Sequence, residues 1–230
     1  MQRILEPEVM DSAEEAVEYD AMDFTEVNTA FAKRAIELGS TAATVLDAGT
    51  GTARIPILIC QQRPQWHITG IDMAKSMLKI GRQNVDNAGL QQQIKLELAD
   101  AKRLPYREEQ FDMVISNSLI HHLPEPLPFL QEIKRVLNPD GALLIRDLIR
   151  PESPEIINNL VESIGEEYDE HQKKLFRDSL QAAFTLDEVK ALIQQAGLPD
   201  VNVYQSSDRH WTAERYCTVK LSLSSPSNEL

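Results

Sequence analysis

A short apolar run that ends in an acidic residue and two glycines contains the first groups that could do chemistry. The stretch VLDAGTGTARIPI, residues 45–57, has the pattern of a strand, a tight glycine turn and the start of a helix. Glycine lets a backbone come close to a ligand because it has no Cβ. The turn could hold a dinucleotide, a nucleoside triphosphate, another ligand or no ligand at all.

Polar residues also end the next three predicted strands. Asp47 ends the first strand, and Asp72, Asp100 and Asn117 end the following ones. In an open α/β sheet the carboxyl ends of the strands form one crevice, in which ligands bind. Each of these residues alone could simply begin a turn or cap a helix. Four of them at corresponding ends of four successive strands predict a shared site.

The spacing of these residues narrows the ligand. A dinucleotide fingerprint has a third glycine three residues after the second, and here that position is Arg54. The acidic residue that binds ribose follows such a turn by about 20 residues, and Asp72 stands at that distance from Gly51. No Gly-Lys-Ser/Thr sequence follows the turn, so it is not a phosphate-binding P-loop. A nucleoside with ribose hydroxyls but without a pyrophosphate fits best.

Strands and helices alternate along the chain and so predict a parallel sheet covered by helices on both faces. The predicted strands are ATVLDAG, WHITGID, IKLELAD, FDMVISN and ALLIRD. Helices are predicted over 52–62 and 74–88 and in EPLPFLQEIKRVL, which a turn, NPDG, follows. Near the end, VNVYQS and RYCTVKLSL are expected to form an antiparallel pair joined by the loop SDRHW.

The 230 residues predict a single domain with three additional segments. Residues 1–39 are expected to form a helical lid that includes a helix starting at a Thr25 N-cap and ending at Gly39. Residues 151–184 carry apolar residues at helical spacing and are expected to form a cap over the substrate side or, alternatively, a dimer interface. A capping box then predicts that a helix begins at Thr185. Residues 222–230 are expected to be a disordered tail.

Composition excludes several classes of protein. The net charge is −13, from 36 acidic and 23 basic side chains, and such a surface repels a nucleic-acid backbone. The two cysteines, Cys60 and Cys217, have neither zinc-site nor disulfide-framework spacing, and no metal site is predicted. The acidic amino-terminal residues do not resemble a signal peptide, and no apolar run approaches the ~18 residues of a membrane span. We therefore expect a soluble, cytoplasmic protein.

Four motifs together resemble those of the class I S-adenosylmethionine-dependent methyltransferases. They are, in order, LDAGTGTA, GIDMAKSML, LADAKRLPY and FDMVISNSLIHHLPEP, and the NPDG turn before a strand is also typical of that family. The resemblance is closest to the group that includes small-molecule and quinone-ring methyltransferases. It implies a Rossmann-like α/β fold with a seven-stranded sheet whose last strand is antiparallel. It also implies SN2 transfer of a methyl group from S-adenosylmethionine, which leaves S-adenosylhomocysteine.

The resemblance also implies a role for each matching residue. Asp47, Gly49 and Gly51 would surround the methionine part of the cofactor, and Asp72 would accept hydrogen bonds from both ribose hydroxyls. The remaining cofactor contacts would be Met73 on the adenine ring, Asp100 and Ala101 at the adenine edge, and Asn117 at the methionine part.

Five residues are candidates for the chemistry at the methyl group. His121 and His122 follow the fourth strand closely, although either could instead pack or cap the next segment. Tyr19 could close over the site or belong to an ordinary amphipathic helix. Asp147 ends the fifth strand, and His210 lies in the SDRHW loop, which is either part of the substrate side or a polar hairpin.

Three functions remain open from the sequence. The leading hypothesis is methyl transfer to a small molecule. The protein could also form a homodimer. A non-catalytic module that binds S-adenosylmethionine would use the same crevice. A nicotinamide-dependent oxidoreductase is the third, and Arg54 in place of the third glycine argues against it.

Overall fold

A computed structural model describes residues 1–6, 11–165, 168–198 and 200–218. Its helices are α1 Ala13–Ala21, α2 Thr25–Leu38, α3 Arg54–Cys60, α4 Lys75–Ala88, α5 Leu127–Val136, α6 Pro154–Glu162, α7 Glu170–Ala182 and α8 Leu186–Ala196. Its strands are β1 Ala43–Ala48, β2 Trp66–Asp72, β3 Ile94–Leu98, β4 Phe111–Asn117, β5 Leu137–Leu148, β6 Asn202–Gln205 and β7 His210–Arg215. A single 3₁₀ turn covers Ile120–His122. The segment predicted as a tail, 222–230, lies outside the described residues.

The strands form one seven-stranded sheet in the order β3-β2-β1-β4-β5-β7-β6. The pairs among β1 to β5 are parallel, whereas β7 is antiparallel to both β5 and β6. The prediction of a seven-stranded sheet with an antiparallel last strand is therefore confirmed. Because the first four strands are neighbours, their carboxyl ends lie side by side at one edge of the sheet.

Two apolar layers hold helices against the sheet. Alternate residues of β1 point to opposite faces, so that Val45 belongs to one layer and Leu46 to the other. The first layer includes Phe31 of α2 and Ile59 of α3, and the second includes Phe129 of α5 and residues of α8. Helices on both faces leave only the strand ends open for a ligand.

The structure corrects three local predictions. The sequence NPDG does not form a separate turn but continues β5, opposite a register shift in β4 between Phe111 and Met113. The last strand begins at His210, five residues before the predicted start, so His210 and Trp211 belong to β7 and not to the loop. Thr25 is the first helical residue of α2 and not its N-cap, and its N–H donates to the Asp23 side chain at 2.9 Å.

The helix ends follow their capping residues. Gly39, Gly89 and Gly197 end α2, α4 and α8 as expected, the last two in the left-handed conformation that favours glycine. The capping box of Thr185 and Glu188 is present at the start of α8. None of the described helices is long and apolar enough to cross a membrane.

Candidate active site

The turn after β1 has a backbone that glycine makes possible. Gly49 and Gly51 have φ values of +76° and +53°, in the left-handed region. The N–H groups of Gly49 and Thr50 both donate to the carbonyl oxygen of Ile71 at 2.9 Å, which ties the turn to the end of β2. A Cβ on Gly49 would lie 3.1 Å from the side chain of Leu119. The turn is therefore tightly bent, and a side chain at Gly49 would crowd the residues after β4.

Asp72 connects this turn to helix α4. One of its carboxylate oxygens accepts from the N–H of Gly51 and the other from the N–H of Ala74, each at 2.9 Å. Burial outweighs these hydrogen bonds and raises the pKa of Asp72 above its ordinary value. Each carboxylate oxygen still has one lone pair for a ligand. Asp72 is therefore a structural link that also has acceptor capacity left for a ligand.

A cleft of about 840 Å³, part of it open solvent, lies between this turn and the residues that follow β3 and β4. Its lining contains seven of the eight residues predicted to bind a cofactor, namely Gly49, Gly51, Asp72, Met73, Asp100, Ala101 and Asn117. The candidate catalytic residues Tyr19 and His122 also line it.

Asp47, the eighth residue predicted to bind a cofactor, is more deeply buried and does not line this cleft. It lines a smaller adjoining cavity with Thr50 and Asn117, and only 2% of its surface is exposed. Burial raises the pKa of Asp47 to about 7, and the nearby Asp72 carboxylate adds to the rise. A cationic ligand next to Asp47 would favour its ionised form.

Asp100 and Asn117 are each held by a basic side chain. Oδ1 of Asp100 lies 3.1 Å from Nζ of Lys102 and accepts from the Lys102 N–H at 2.8 Å. Oδ1 of Asn117 accepts from Nε of Arg146 at 2.9 Å. Burial lowers the pKa of Arg146 to about 10. These contacts orient both side chains at the edge of the cleft.

Arg54 anchors helix α1 beside the cleft. Its guanidinium donates to the carbonyl oxygens of Asp20 and Met22 at 2.5 and 2.8 Å, at the end of α1. This places Tyr19 among the lining residues, where burial raises the pKa of its hydroxyl. The arginine that replaces the third glycine of a dinucleotide fingerprint therefore holds the amino-terminal segment in place.

Beside His122, at the other end of the cleft, lies a buried histidine and carboxylate pair that does not itself line the cleft. Nδ1 of His121 lies 2.5 Å from Oδ1 of Asp147, and the backbone N–H of His121 donates to Oδ2 of Asp147 at 3.0 Å. Burial alone would lower the pKa of His121, but the carboxylate outweighs it and the pKa is raised. The pKa of Asp147 is lowered despite its burial, because His121 and two N–H groups stabilise its charge.

Residues 1–6, which the sequence patterns did not connect with chemistry, complete this end of the site. Oε1 of Glu6 lies 3.4 Å from Nε2 of His121 and 3.0 Å from Nδ1 of His122. The guanidinium of Arg3 donates to the carbonyl oxygens of His121 and Leu123 at 2.9 and 2.8 Å. Arg3 and Glu6 lie more than a hundred residues before the two histidines in sequence, and no periodic pattern marks them.

His210 lies apart from the other candidates. It is on β7, where its register partner is Leu148, and its Nδ1 is 3.0 Å from the hydroxyl of Ser207. It is not among the residues that line the cleft. Burial lowers the pKa of His210 to about 4. The neighbouring Trp211, which the two alternatives placed either on the substrate side or in a polar hairpin, is fully buried in the core, because the strand begins earlier than predicted.

Helices α6 and α7 of the segment 151–184 pack mainly against each other. Ile157, Val161 and Leu180 form a small apolar cluster with Leu148, and Phe176 packs against it. None of the described residues of this segment lines the cleft. Its described residues contact the surroundings of the site, and the hydroxyl of Ser179, for example, is 3.2 Å from Glu6.

The sequence of this chain is similar to those of known methyltransferases. Residues 40–198 match the family model described as a methyltransferase domain. A demethylmenaquinone methyltransferase from Listeria welshimeri is 35% identical over 111 residues, which cover 48% of this chain and 47% of that protein. A 27-O-demethylrifamycin SV methyltransferase from Amycolatopsis mediterranei is 27% identical over 177 residues, covering 75% of this chain and 61% of that protein. The matches span about half to two thirds of the length of these relatives.

A crystal structure of a SAM-dependent methyltransferase from Aquifex aeolicus has a similar fold. The TM-score is 0.65 at 19% identity, and the match covers 89% of this chain and 98% of that one. The cleft fits S-adenosylmethionine on its own features as well. The glycine turn leaves room for a close ligand, Asp72 has lone pairs for two hydroxyls, and Asp47 is a buried carboxylate for a cation.

We expect Asp72→Asn to weaken the binding of S-adenosylmethionine at least tenfold. An amide can accept through one oxygen only, so one ribose contact and one of the two backbone contacts are lost, at roughly 1.5–3 kcal/mol for each hydrogen bond to a charged group. Isothermal titration calorimetry would measure the affinity, and thermal melting would show a lowered melting temperature. Asp86→Asn, on the exposed face of α4, is the matched control. Unchanged affinity in Asp72→Asn would contradict the assignment.

Arg54→Ala should loosen helix α1 while the sheet stays intact, since the guanidinium holds two carbonyl groups at the end of that helix. Hydrogen exchange in residues 13–21 should accelerate, and S-adenosylmethionine should dissociate several-fold faster in stopped-flow measurements. Arg82→Ala, which alters an exposed arginine on α4, should change neither quantity. Equal exchange in the two variants would show that Arg54 does not anchor a lid.

Proposed function

The chain belongs to the methyltransferase domain family, and from this premise we propose that it transfers a methyl group from S-adenosylmethionine to a small organic acceptor. The observation that carries the proposal is the arrangement of Asp72 and Asp100 on neighbouring strand ends around the cleft, below the glycine turn. S-adenosylmethionine supplies a methyl group already activated by its sulfonium centre. The chain must therefore bind, align and desolvate the reactants more than it must activate the methyl group.

The cofactor side of the cleft is assigned residue by residue. Asp72 would accept from the ribose hydroxyls, Met73 would pack on the adenine, and Asp100 with the Ala101 N–H would contact the adenine edge. Asp47 and Asn117 would face the methionine part, beside Gly49 and Gly51. Tyr19, held by the Arg54 anchor, would cover this side and exclude water.

We place the acceptor at the other end of the cleft, beside His122. This side chain lines the cleft, and His121 and Asp147 lie directly behind it. The buried pair fixes the orientation of the 3₁₀ turn that carries His122, so we assign His121 and Asp147 a positioning role. His210 lies outside the cleft lining and has no role in this proposal.

The acceptor is proposed to be an organic molecule of modest size. The relatives named above are a demethylmenaquinone and a 27-O-demethylrifamycin SV methyltransferase, and the acceptor is proposed to be of this broad kind. The net charge of −13 favours a non-nucleic-acid substrate. We further propose that the protein works in the cytoplasm.

Transfer of label from methyl-labelled S-adenosylmethionine to an extract of small molecules would test the activity. A protein that binds the donor but releases no S-adenosylhomocysteine with any fraction would instead be a non-catalytic binding module. Binding of nicotinamide dinucleotide in preference to S-adenosylmethionine would overturn the assignment altogether.

The affinity for S-adenosylmethionine should increase as the pH rises towards 7. The raised pKa of Asp47, about 7, means that the free folded protein holds a proton there, which a cationic ligand must displace. Below pH 7 each unit should therefore weaken binding by up to about tenfold. Calorimetry in buffers of different ionisation enthalpy would count the released proton. Asp47→Asn should give a flat profile; a flat profile in the unsubstituted protein would refute the role of Asp47.

The raised pKa has the opposite effect on the free protein. A group whose pKa is higher in the folded than in the unfolded chain contributes stability at low pH that is lost as the pH rises. For Asp47 this window extends from its ordinary value of 3.8 to about 7. Asp47→Asn should remove this contribution to the pH dependence of the melting temperature.

Substitution of both Leu175 and Phe176 by alanine should lower turnover of the natural acceptor and leave the affinity for S-adenosylmethionine within about twofold. The reason is that α7 contacts the acceptor end through Ser179 and Glu6, whereas it does not line the cofactor side. Steady-state kinetics and sedimentation would be compared. Unchanged kinetics together with conversion of a dimer to a monomer would identify 151–184 as an interface.

A further inference from the structure

Three side chains beside the acceptor end of the cleft carry potential metal-ligand atoms that converge. They are Glu6, His121 and His122, and one ligand atom from each lies within 4.8 Å of the other two. In the described part of the chain this is the one group of three such residues with this spacing. Consecutive histidines seldom face the same point, but the 3₁₀ turn brings these two rings to a centroid distance of 4.1 Å.

The separations suit an ion between the three groups. Oε1 of Glu6 is 3.4 Å from Nε2 of His121 and 3.0 Å from Nδ1 of His122. Ligands about 2.0–2.1 Å from a tetrahedral ion lie roughly 3.3 Å apart. All three side chains are largely buried, at 9%, 5% and 20% exposure in the order Glu6, His121, His122. Ligand atoms at these distances need little rearrangement to coordinate an ion.

The hydrogen bonds of the two histidines leave these atoms available. Nδ1 of His121 is taken by Asp147 at 2.5 Å, which orients the ring and leaves Nε2 towards Glu6. A carboxylate behind a histidine in this manner is typical of metal sites, where it fixes the tautomer. Nδ1 of His122 is buried and lies 3.0 Å from Oε1 of Glu6, a contact that an ion between the two atoms would replace.

The charges also leave room for a cation. Glu6 and Asp147 are two buried carboxylates, and among the described residues only histidines lie within ion-pair distance of them. Arg3 is close, but its hydrogen bonds go to backbone carbonyl groups of residues 121, 123, 124 and 182. Buried carboxylates are stable when a positive partner or a metal ion compensates them.

We propose that Glu6, His121 and His122 bind one divalent first-row transition ion such as Zn²⁺, with Asp147 orienting His121 from behind. Two imidazoles and one carboxylate are a ligand set that such ions favour and that leaves coordination positions open. Since His122 also lines the cleft, the ion lies at the border of the acceptor end. The proposal does not depend on methyl transfer and goes beyond it.

The test uses the full chain after removal of metals, without donor or acceptor, so that its result is separate from the test of the methyl-transfer proposal. Equilibrium dialysis against Zn²⁺ should give one ion per chain, and Co²⁺ should give the visible absorption of a four- or five-coordinate site. Glu6→Gln and His122→Ala should each weaken Zn²⁺ binding at least tenfold. Asp147→Asn should weaken it by about 10–100-fold, as loss of an outer-shell partner does.

Two matched controls alter exposed residues of the same types. Glu125→Gln is close to the site in the chain, and His67→Ala is on β2; both should bind Zn²⁺ within twofold of the unsubstituted protein. Zn²⁺ should also raise the melting temperature of the unsubstituted protein and the controls, and that rise should disappear in His122→Ala. Failure to bind a stoichiometric ion, or equal Zn²⁺ affinity in the site variants and the controls, would overturn the proposal.

Discussion

The carboxylate of Asp72 is the contact on which the arrangement of the cleft depends. It accepts one N–H from the glycine turn and one from the start of α4, and so joins two loops that follow neighbouring strands. The carbonyl of Ile71, one residue earlier, receives two more N–H groups from the turn. The end of β2 therefore fixes the shape of the turn after β1. A ligand that binds Asp72 meets a side chain that is already oriented, which reduces the entropy lost on binding.

Around this rigid centre, the two halves of the amino-terminal region act on opposite ends of the cleft. Helix α1 is tied to the cofactor side by Arg54, and residues 1–6 are tied to the histidine pair by Arg3 and Glu6. Arg54 also lies 3.5 Å from a carboxylate oxygen of Asp20, but the shortest hydrogen bonds of both arginines go to backbone carbonyl groups. Such contacts depend on the backbone path of the partner and tolerate changes in its side chains.

The sheet and most of the cofactor side were predictable because they follow from local patterns. Alternating strands, glycine spacing and acidic strand ends identify Gly49, Gly51, Asp72 and Asp100 without knowledge of distant contacts. The acceptor side was only partly predictable, because it depends on pairs far apart in sequence such as His121 with Asp147, and Glu6 with Ser179. The start of β7 was misplaced because the polar and charged residues of SDRHW resemble a loop, whereas in the structure His210 and Trp211 pair with Leu148 and Asp147 of β5.

The docking of residues 1–6 against the end of α7 has a consequence for synthesis on the ribosome. Ile4 donates to the carbonyl of Gln181, and Glu6 meets Ser179. The polypeptide emerges from its amino terminus at about 5–20 residues per second, so Ile4 and Glu6 must wait for partners translated roughly 175 positions later. Glu6 can take its place beside the histidines only when most of the chain has left the exit tunnel. These contacts of the amino-terminal residues therefore form late in synthesis, although β6 and β7, which complete the sheet, are translated later still.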